Sequence, residues 1–175
     1  MRANSTKHLG DNVKLEMGGV RKKKGAGTSI VTNPESRVLA VGEGFETMLT
    51  VATAHQYQIN VRSYVNAGNL AKADILKSDF DKVIIYADHD KFDPIRNYRP
   101  GTHYAQQLAR RLMEMGFKVE IRLPDVEKTD WADVWMSATN QLGNITNTLL
   151  TRCIQQKSDH PFLVIDQMLK EKKLL

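Results

Sequence analysis

The chain has 175 residues, 25 Lys and Arg against 20 Asp and Glu for a formal net charge of +5, and one cysteine, Cys153. That length suits one domain with a full core and small appendages, and it excludes a multi-domain machine. A lone cysteine excludes an intramolecular disulfide or a Cys-rich zinc ribbon within these residues. No apolar run is long enough to span a bilayer, and Met1-Arg2-Ala3-Asn4-Ser5 lacks the apolar core of a signal peptide, so the expectation is a cytoplasmic protein with no membrane partner.

Residues 1–36 read as a basic segment or β hairpin. Arg21, Lys22, Lys23 and Lys24 lie between glycines, flanked by candidate strands at 13–17 and 28–32. Such a run either contacts phosphates through counterion release or is a solvated face. After a turn at residues 33–36, the apolar run 37–42 reads as a strand ending in Glu43-Gly44. A helix is expected over 45–55, with Phe45, Met48, Leu49 and Ala52 on one face and Thr47 and Thr50 on the other. Gly44 suits a tight turn, and Glu46 suits a charge at a helix N-terminus. A weaker strand at 62–65 ends in Asn66-Ala67-Gly68-Asn69, which either approaches a phosphate or makes the turn before a short helix at 70–77.

The most informative stretch is Val83-Ile84-Ile85-Tyr86-Ala87-Asp88-His89-Asp90. An unbroken β-branched run reads as a strand buried on both faces, the pattern of parallel sheets. Its carboxyl end, where open α/β sheets place their ligands, carries Asp88 and Asp90 on one side of an extended segment. Two like charges aimed at one spot suit a hard cation, Mg²⁺ or Mn²⁺; the plainer alternative is a solvated corner. A long connection, 91–100, includes Arg96 and Arg99. Gly101 and Thr102 then open an amphipathic helix with Ala105, Leu108, Ala109, Leu112 and Met115 buried and Arg110, Arg111 and Glu114 outside. Gly116 ends that helix, and residues 117–123 alternate as a half-exposed strand. Asp130 suits the cap of a short helix starting at Trp131, which leaves Asp133 unexplained. The chain to residue 123 thus reads β-α-β-α-β-α-β, and helices expected at 142–156 and 161–170 follow as packing helices or a connection to another part.

Residues 41–52, Val-Gly-Glu-Gly-Phe-Glu-Thr-Met-Leu-Thr-Val-Ala, resemble the "EGxETALxVA" run of Toprim domains in plasmid- and phage-type primases. Ala67-Gly68-Asn69-Leu70, Ala87-Asp88-His89-Asp90 and Asp130-Trp131-Ala132-Asp133-Val134 follow in that family's order. Two departures are His89, where Asn or a small residue is usual, and the lengthened 91–100 loop. The resemblance implies an α/β, Rossmann-like fold: a mostly parallel four-stranded sheet flanked by helices, a short N-terminal β segment (1–36), a Toprim domain (37–140) and a C-terminal helical extension (141–175).

The resemblance also implies primase-type nucleotidyl transfer, the synthesis of RNA primers on single-stranded DNA from nucleoside triphosphates. Asp88 and Asp90 would hold Mg²⁺ or Mn²⁺ against the incoming triphosphate, with Glu43 a third ligand or the general base and Asp130 and Asp133 auxiliary ligands. Arg21, Lys22, Lys23, Lys24, Arg96 and Arg99 would carry the template strand. The missing zinc ribbon implies a catalytic fragment or reliance on partners: a helicase, a replication or conjugation protein, or another domain of a longer chain. Two other classes stay open, a Toprim nuclease using the same acids and a non-catalytic nucleic-acid-binding or assembly module. A topoisomerase is disfavoured, since no room remains for the domain carrying its tyrosine.

Overall fold

A computed structural model describes residues 25–142, 160–164 and 167. The elements are β1 (Thr28–Val31), β2 (Val38–Gly42), α1 (Phe45–Ala54), β3 (Asn60–Ser63), α2 (Ala67–Leu70), β4 (Lys82–Tyr86), α3 (Pro100–Glu114), β5 (Lys118–Arg122) and α4 (Trp131–Leu142). The five strands form one sheet in the order β1-β3-β2-β4-β5. β3, β2, β4 and β5 are parallel, as expected, and β1 adds an antiparallel edge against β3 with an irregularity between Ser29 and Val31. The basic run 21–24, the strand expected at 13–17 and all but the first residue of the helix expected at 142–156 lie outside the described residues. Within 161–170, residues 161–164 and 167 are helical. No described helix is long and apolar enough to cross a membrane.

The unbroken apolar runs become the central strands because both of their faces are covered. Alternate residues point to opposite sides. Ala40, Ile84 and Tyr86 pack with α1, α4 and Phe162 on one face, while Leu39, Val41, Val83 and Ile85 pack with α3, Tyr64 and Leu70 on the other. Full burial of a side chain such as Ile85, 0% exposed, stabilises by roughly 1.5–3 kcal/mol. The α3 stripe is as expected except at its end, where Met115 is exposed. Pro100 stands in the first turn of α3, where its missing N–H costs nothing. Gly116 takes φ +82, and the bonds Gly116 N–H to Met113 O and Phe117 N–H to Leu112 O close the helix as a Schellman turn.

Three local expectations are overturned. In α1 the inward face holds Thr47, Met48, Val51 and Ala52, whereas Phe45 and Leu49 are exposed. The helix expected at 70–77 is instead the single turn Ala67–Leu70, capped by Asn66 Oδ1 accepting from Asn69 N–H at 2.9 Å. Arg111, expected outside, donates to the carbonyls of Ala71 and Ala73 and tethers this irregular stretch to α3.

The polar face of β5 is also less exposed than strict alternation suggests. Parallel register sets Ile84 beside Glu120 and Tyr86 beside Arg122. Arg122, 3% exposed, donates to Tyr86 Oη at 2.6 Å and to Glu120 at 2.6 Å, and Lys82 pairs with Glu120 at 2.9 Å. The Tyr86 hydroxyl also meets His55 Nε2 at 2.7 Å. Partial burial pushes the Glu120 carboxyl up, but the hydrogen bonds from Arg122 and Lys82 outweigh it and bring it down to about 2.

Candidate metal and nucleotide site

The strand order reverses between β2 and β4, because β3 lies on one side of β2 while β4 and β5 continue on the other. Their register pairs Gly42 with Tyr86, so the two strands finish level, with Glu43 following β2 as Ala87 follows β4, one residue before Asp88. This is the switch point outside the carboxyl ends at which open α/β sheets bind ligands. Gly42 is required here, since a Cβ would lie 2.3 Å from Met48 Sδ and 2.9 Å from Tyr86 O. Ser63, fully buried, donates to Glu43 O at 2.8 Å and fixes that turn. Gly44 takes an ordinary φ of −71, so freedom to turn is not its role. A Cβ there would press on Thr47 Oγ1 at 3.1 Å.

That hydroxyl has a specific partner. Thr47 donates to Asp130 Oδ2 at 2.8 Å and so joins the first turn of α1 to the loop after β5. The other Asp130 oxygen accepts from Asp133 N–H at 2.9 Å, and Asp133 Oδ2 accepts from Asp130 N–H at 3.0 Å. The two acids thus form a reciprocal capping box at the start of α4. Asp133, which helix capping by Asp130 alone leaves unexplained, has a structural role.

Asp88 and Asp90 are held differently. Asp90 Oδ2 accepts from Gly101 N–H at 2.6 Å, at the positive N-terminus of α3. A Cβ on Gly101 would lie 2.4 Å from Asp88 O and 3.0 Å from Asp90 Oδ2, so only glycine allows this approach. Asp88 is half-buried, with Oδ1 out of contact with water. His89 staples the two acidic loops together: its N–H donates to Thr129 O at 3.0 Å, its carbonyl accepts from Lys128 N–H at 2.6 Å, and its ring Nδ1 lies 2.7 Å from Pro124 O. A carbonyl only accepts, so Nδ1 carries the proton.

These elements enclose an open cleft of about 320 Å³ lined by Asp88, His89, Asp90, Lys91, Lys128, Thr129, Asp130 and Asp133. Four of the five expected acids line this cleft. Glu43 is not among its lining residues; it stands at the neighbouring strand end, just before the helix whose Thr47 bonds Asp130 of the cleft. Among the described residues no group of three or more His, Cys, Asp and Glu side chains is arranged to hold a metal ion. The donor set fits a small hard cation that keeps several waters, a mode needing only one or two carboxylates plus substrate phosphates. The chain's own reading missed Lys91 and Lys128, which bring positive charge to the same cleft. Lys128 adopts φ +63, a left-handed conformation rare outside glycine and asparagine, and such strain concentrates at functional positions.

The two described arginines expected on a nucleic-acid face differ. Arg96 is exposed, with its guanidinium 3.6 Å from Asp93. Arg99 donates to Asp90 O at 2.8 Å and pairs with Glu127, whose carboxyl the Arg99 hydrogen bond holds below the usual range. Arg99 therefore braces the acidic loop. The long connection it closes is ordered by a bridge between Asp93 and Tyr98 and by Tyr98 stacking on His103 at 4.0 Å.

Among known proteins, no curated protein and no solved structure matches the chain significantly. Residues 38–141 match the family model described as the Toprim domain. The matched segment runs from the start of β2 into α4, spans more than half of the chain and contains every acid described above, and the chain therefore belongs to the Toprim domain family.

Proposed function

We propose that this chain performs metal-dependent nucleotidyl transfer of the primase type, joining nucleotides into an RNA primer on single-stranded DNA. Toprim domains occur in primases and in nucleases and bind divalent metals such as Mg²⁺ through acidic residues. The observation that carries the primase reading is the mixed charge of the cleft, where Lys91 and Lys128 accompany Asp88 and Asp90. Carboxylates alone repel a polyphosphate; with a divalent ion and two lysines they suit one.

In this reading Asp88 and Asp90 hold Mg²⁺ or Mn²⁺, and Lys91 and Lys128 orient the triphosphate. When bound, the ion neutralises charge that develops on the pyrophosphate leaving group. Glu43 accepts the proton of the attacking 3′ hydroxyl, a transfer worth roughly 10²- to 10⁴-fold in rate. Asp130 and Asp133 hold the second loop in register. Arg96, together with Arg21, Lys22, Lys23 and Lys24, carries the template phosphates.

The test is a primer-synthesis assay with the four ribonucleoside triphosphates and Mg²⁺ on single-stranded DNA, with the labelled DNA followed in the same tubes. New oligoribonucleotides that vanish in Asp88→Asn/Asp90→Asn support the proposal. Metal-dependent DNA cleavage without synthesis replaces it by the nuclease reading, and neither activity leaves a binding module.

A further inference from the structure

A second cavity, of about 450 Å³, adjoins the acidic cleft and shares Thr129 and Asp133 with it. Its walls are mainly apolar, with Leu123 from the loop after β5, Trp131 and Val134 from α4, and Phe162 from the helical turn at 161–164. Trp131 and Phe162 lie with ring centroids 4.6 Å apart. Ser137 and His160 supply polar atoms, and Asp125, Thr129 and Asp133 stand at the polar part of the lining. The volume falls within the usual range for small-molecule sites, roughly 300–1,000 Å³, and a mostly apolar wall with a few polar groups is their usual make-up. His160, Phe162 and Leu163 lie beyond the segment that matches the family, so this chain adds that wall to the Toprim frame.

With the divalent ion of the proposed function in the acidic cleft, a ligand filling both spaces would place its phosphates there, beside Lys91 and Lys128, and a largely apolar, hydrogen-bonding ring system in the second cavity. We infer that the cavity is a nucleoside-binding subsite, taking the base and sugar of a nucleotide whose phosphates lie in the acidic cleft. The inference rests on the proposed function for the position of the phosphates; the cavity's apolar wall is built by residues that do not line the acidic cleft, Leu123, Trp131, Val134 and Phe162. Aromatic and apolar side chains hold a base by stacking and burial, which need no metal and tolerate several bases.

The test uses the full chain and its two tryptophans, Trp131 and Trp135, as fluorescent reporters. Adenosine, guanosine, cytidine and uridine are titrated without metal, and then the four triphosphates and inorganic triphosphate with Mn²⁺. At least one nucleoside is expected to change the emission saturably without metal, and its triphosphate to bind at least 10-fold more tightly than inorganic triphosphate. Ser137→Phe, from an exposed position on α4, is expected to fill the cavity, abolish nucleoside binding and bring the triphosphate to the level of inorganic triphosphate. Leu163→Tyr, at another exposed lining position, provides the same test should Ser137→Phe not fold.

Asp88→Asn/Asp90→Asn is expected to keep nucleoside binding while losing the metal-dependent gain. If nucleosides bind but no triphosphate gains from Mn²⁺, the subsite stands and the metal reading of the cleft fails. If no nucleoside binds and nucleoside triphosphates bind no better than inorganic triphosphate, the subsite is overturned while the cleft reading stands. Nucleoside binding unchanged in the folded cavity-filling variants also overturns it.

Discussion

The loops after β4 and β5 each bring two aspartates to the same cleft, but they use the carboxylates differently. In the β5 loop Asp130 engages both oxygens, one with Asp133 N–H and one with Thr47, while Asp133 caps the helix in return. In the β4 loop Asp90 is anchored through Oδ2 alone, at the N-terminus of α3, and Oδ1 is outside that bond. The same residue type at similar spacing therefore builds a helix start in one loop, while in the other the proposed function makes it a cation ligand. Proximity to a cleft does not assign chemistry, because a carboxylate there can serve the backbone, as Asp130 and Asp133 do.

Several substitutions can break or sharpen this contrast. The largest effect is expected at Glu43, the acid whose backbone Ser63 fixes. Glu43→Gln should fold normally, retain metal binding through Asp88 and Asp90, and lose roughly 10²-fold or more in turnover. Activity within a few-fold of the parent, or a loss of activity matched by a loss of folding in urea titrations, would remove Glu43 from the chemistry. Next, Asp130→Ala removes an N-cap and the acceptor for Thr47. Urea unfolding should show a loss of about 1–2 kcal/mol, with calorimetric Mn²⁺ affinity unchanged. A smaller effect is expected for Thr47→Val, which keeps the volume but deletes the hydroxyl bond to Asp130, at about 1 kcal/mol. No change would mean that water replaces this bond without cost.

The smallest effect concerns the opposite side of β5. The folded-state Glu120 carboxyl lies at about 2, below the ordinary glutamate value of 4.5. Its contribution to stability is thus present above pH 4.5 and is lost as pH falls toward 2. Circular dichroism across that range should show stability declining less steeply for Glu120→Gln than for the parent, while the two slopes agree near neutral pH. Equal slopes in the acid window would discount the Lys82–Glu120–Arg122 network.

Much of the frame was legible from residue pattern. The runs at β2 and β4 were readable because strands buried on both faces admit no polar alternation, and Glu43, Asp88 and Asp90 follow from where those strands stop. α1 was misread because its outward Phe45 and Leu49 mimic a buried stripe, while Thr47 is drawn inward by Asp130, 83 residues away. No local signal encodes that partner. The half-exposed alternation at 117–123 likewise gives no sign that Arg122 is buried, since its burial depends on the Tyr86 hydroxyl across the sheet. Lys91 and Lys128 carried a weak clue, their closeness in sequence to Asp90 and Asp130, but only the folded cleft joins them.

The central claim, that the β4 aspartates hold the ion and the β5 aspartates hold the helix, is tested most directly by isothermal calorimetry with Mn²⁺ on two double variants. Asp88→Asn/Asp90→Asn should keep the parent's unfolding midpoint and lose metal binding, whereas Asp130→Asn/Asp133→Asn should bind Mn²⁺ with the parent's affinity and unfold at lower denaturant. Undiminished Mn²⁺ binding in the first variant, or its loss in a folded second variant, would contradict the account.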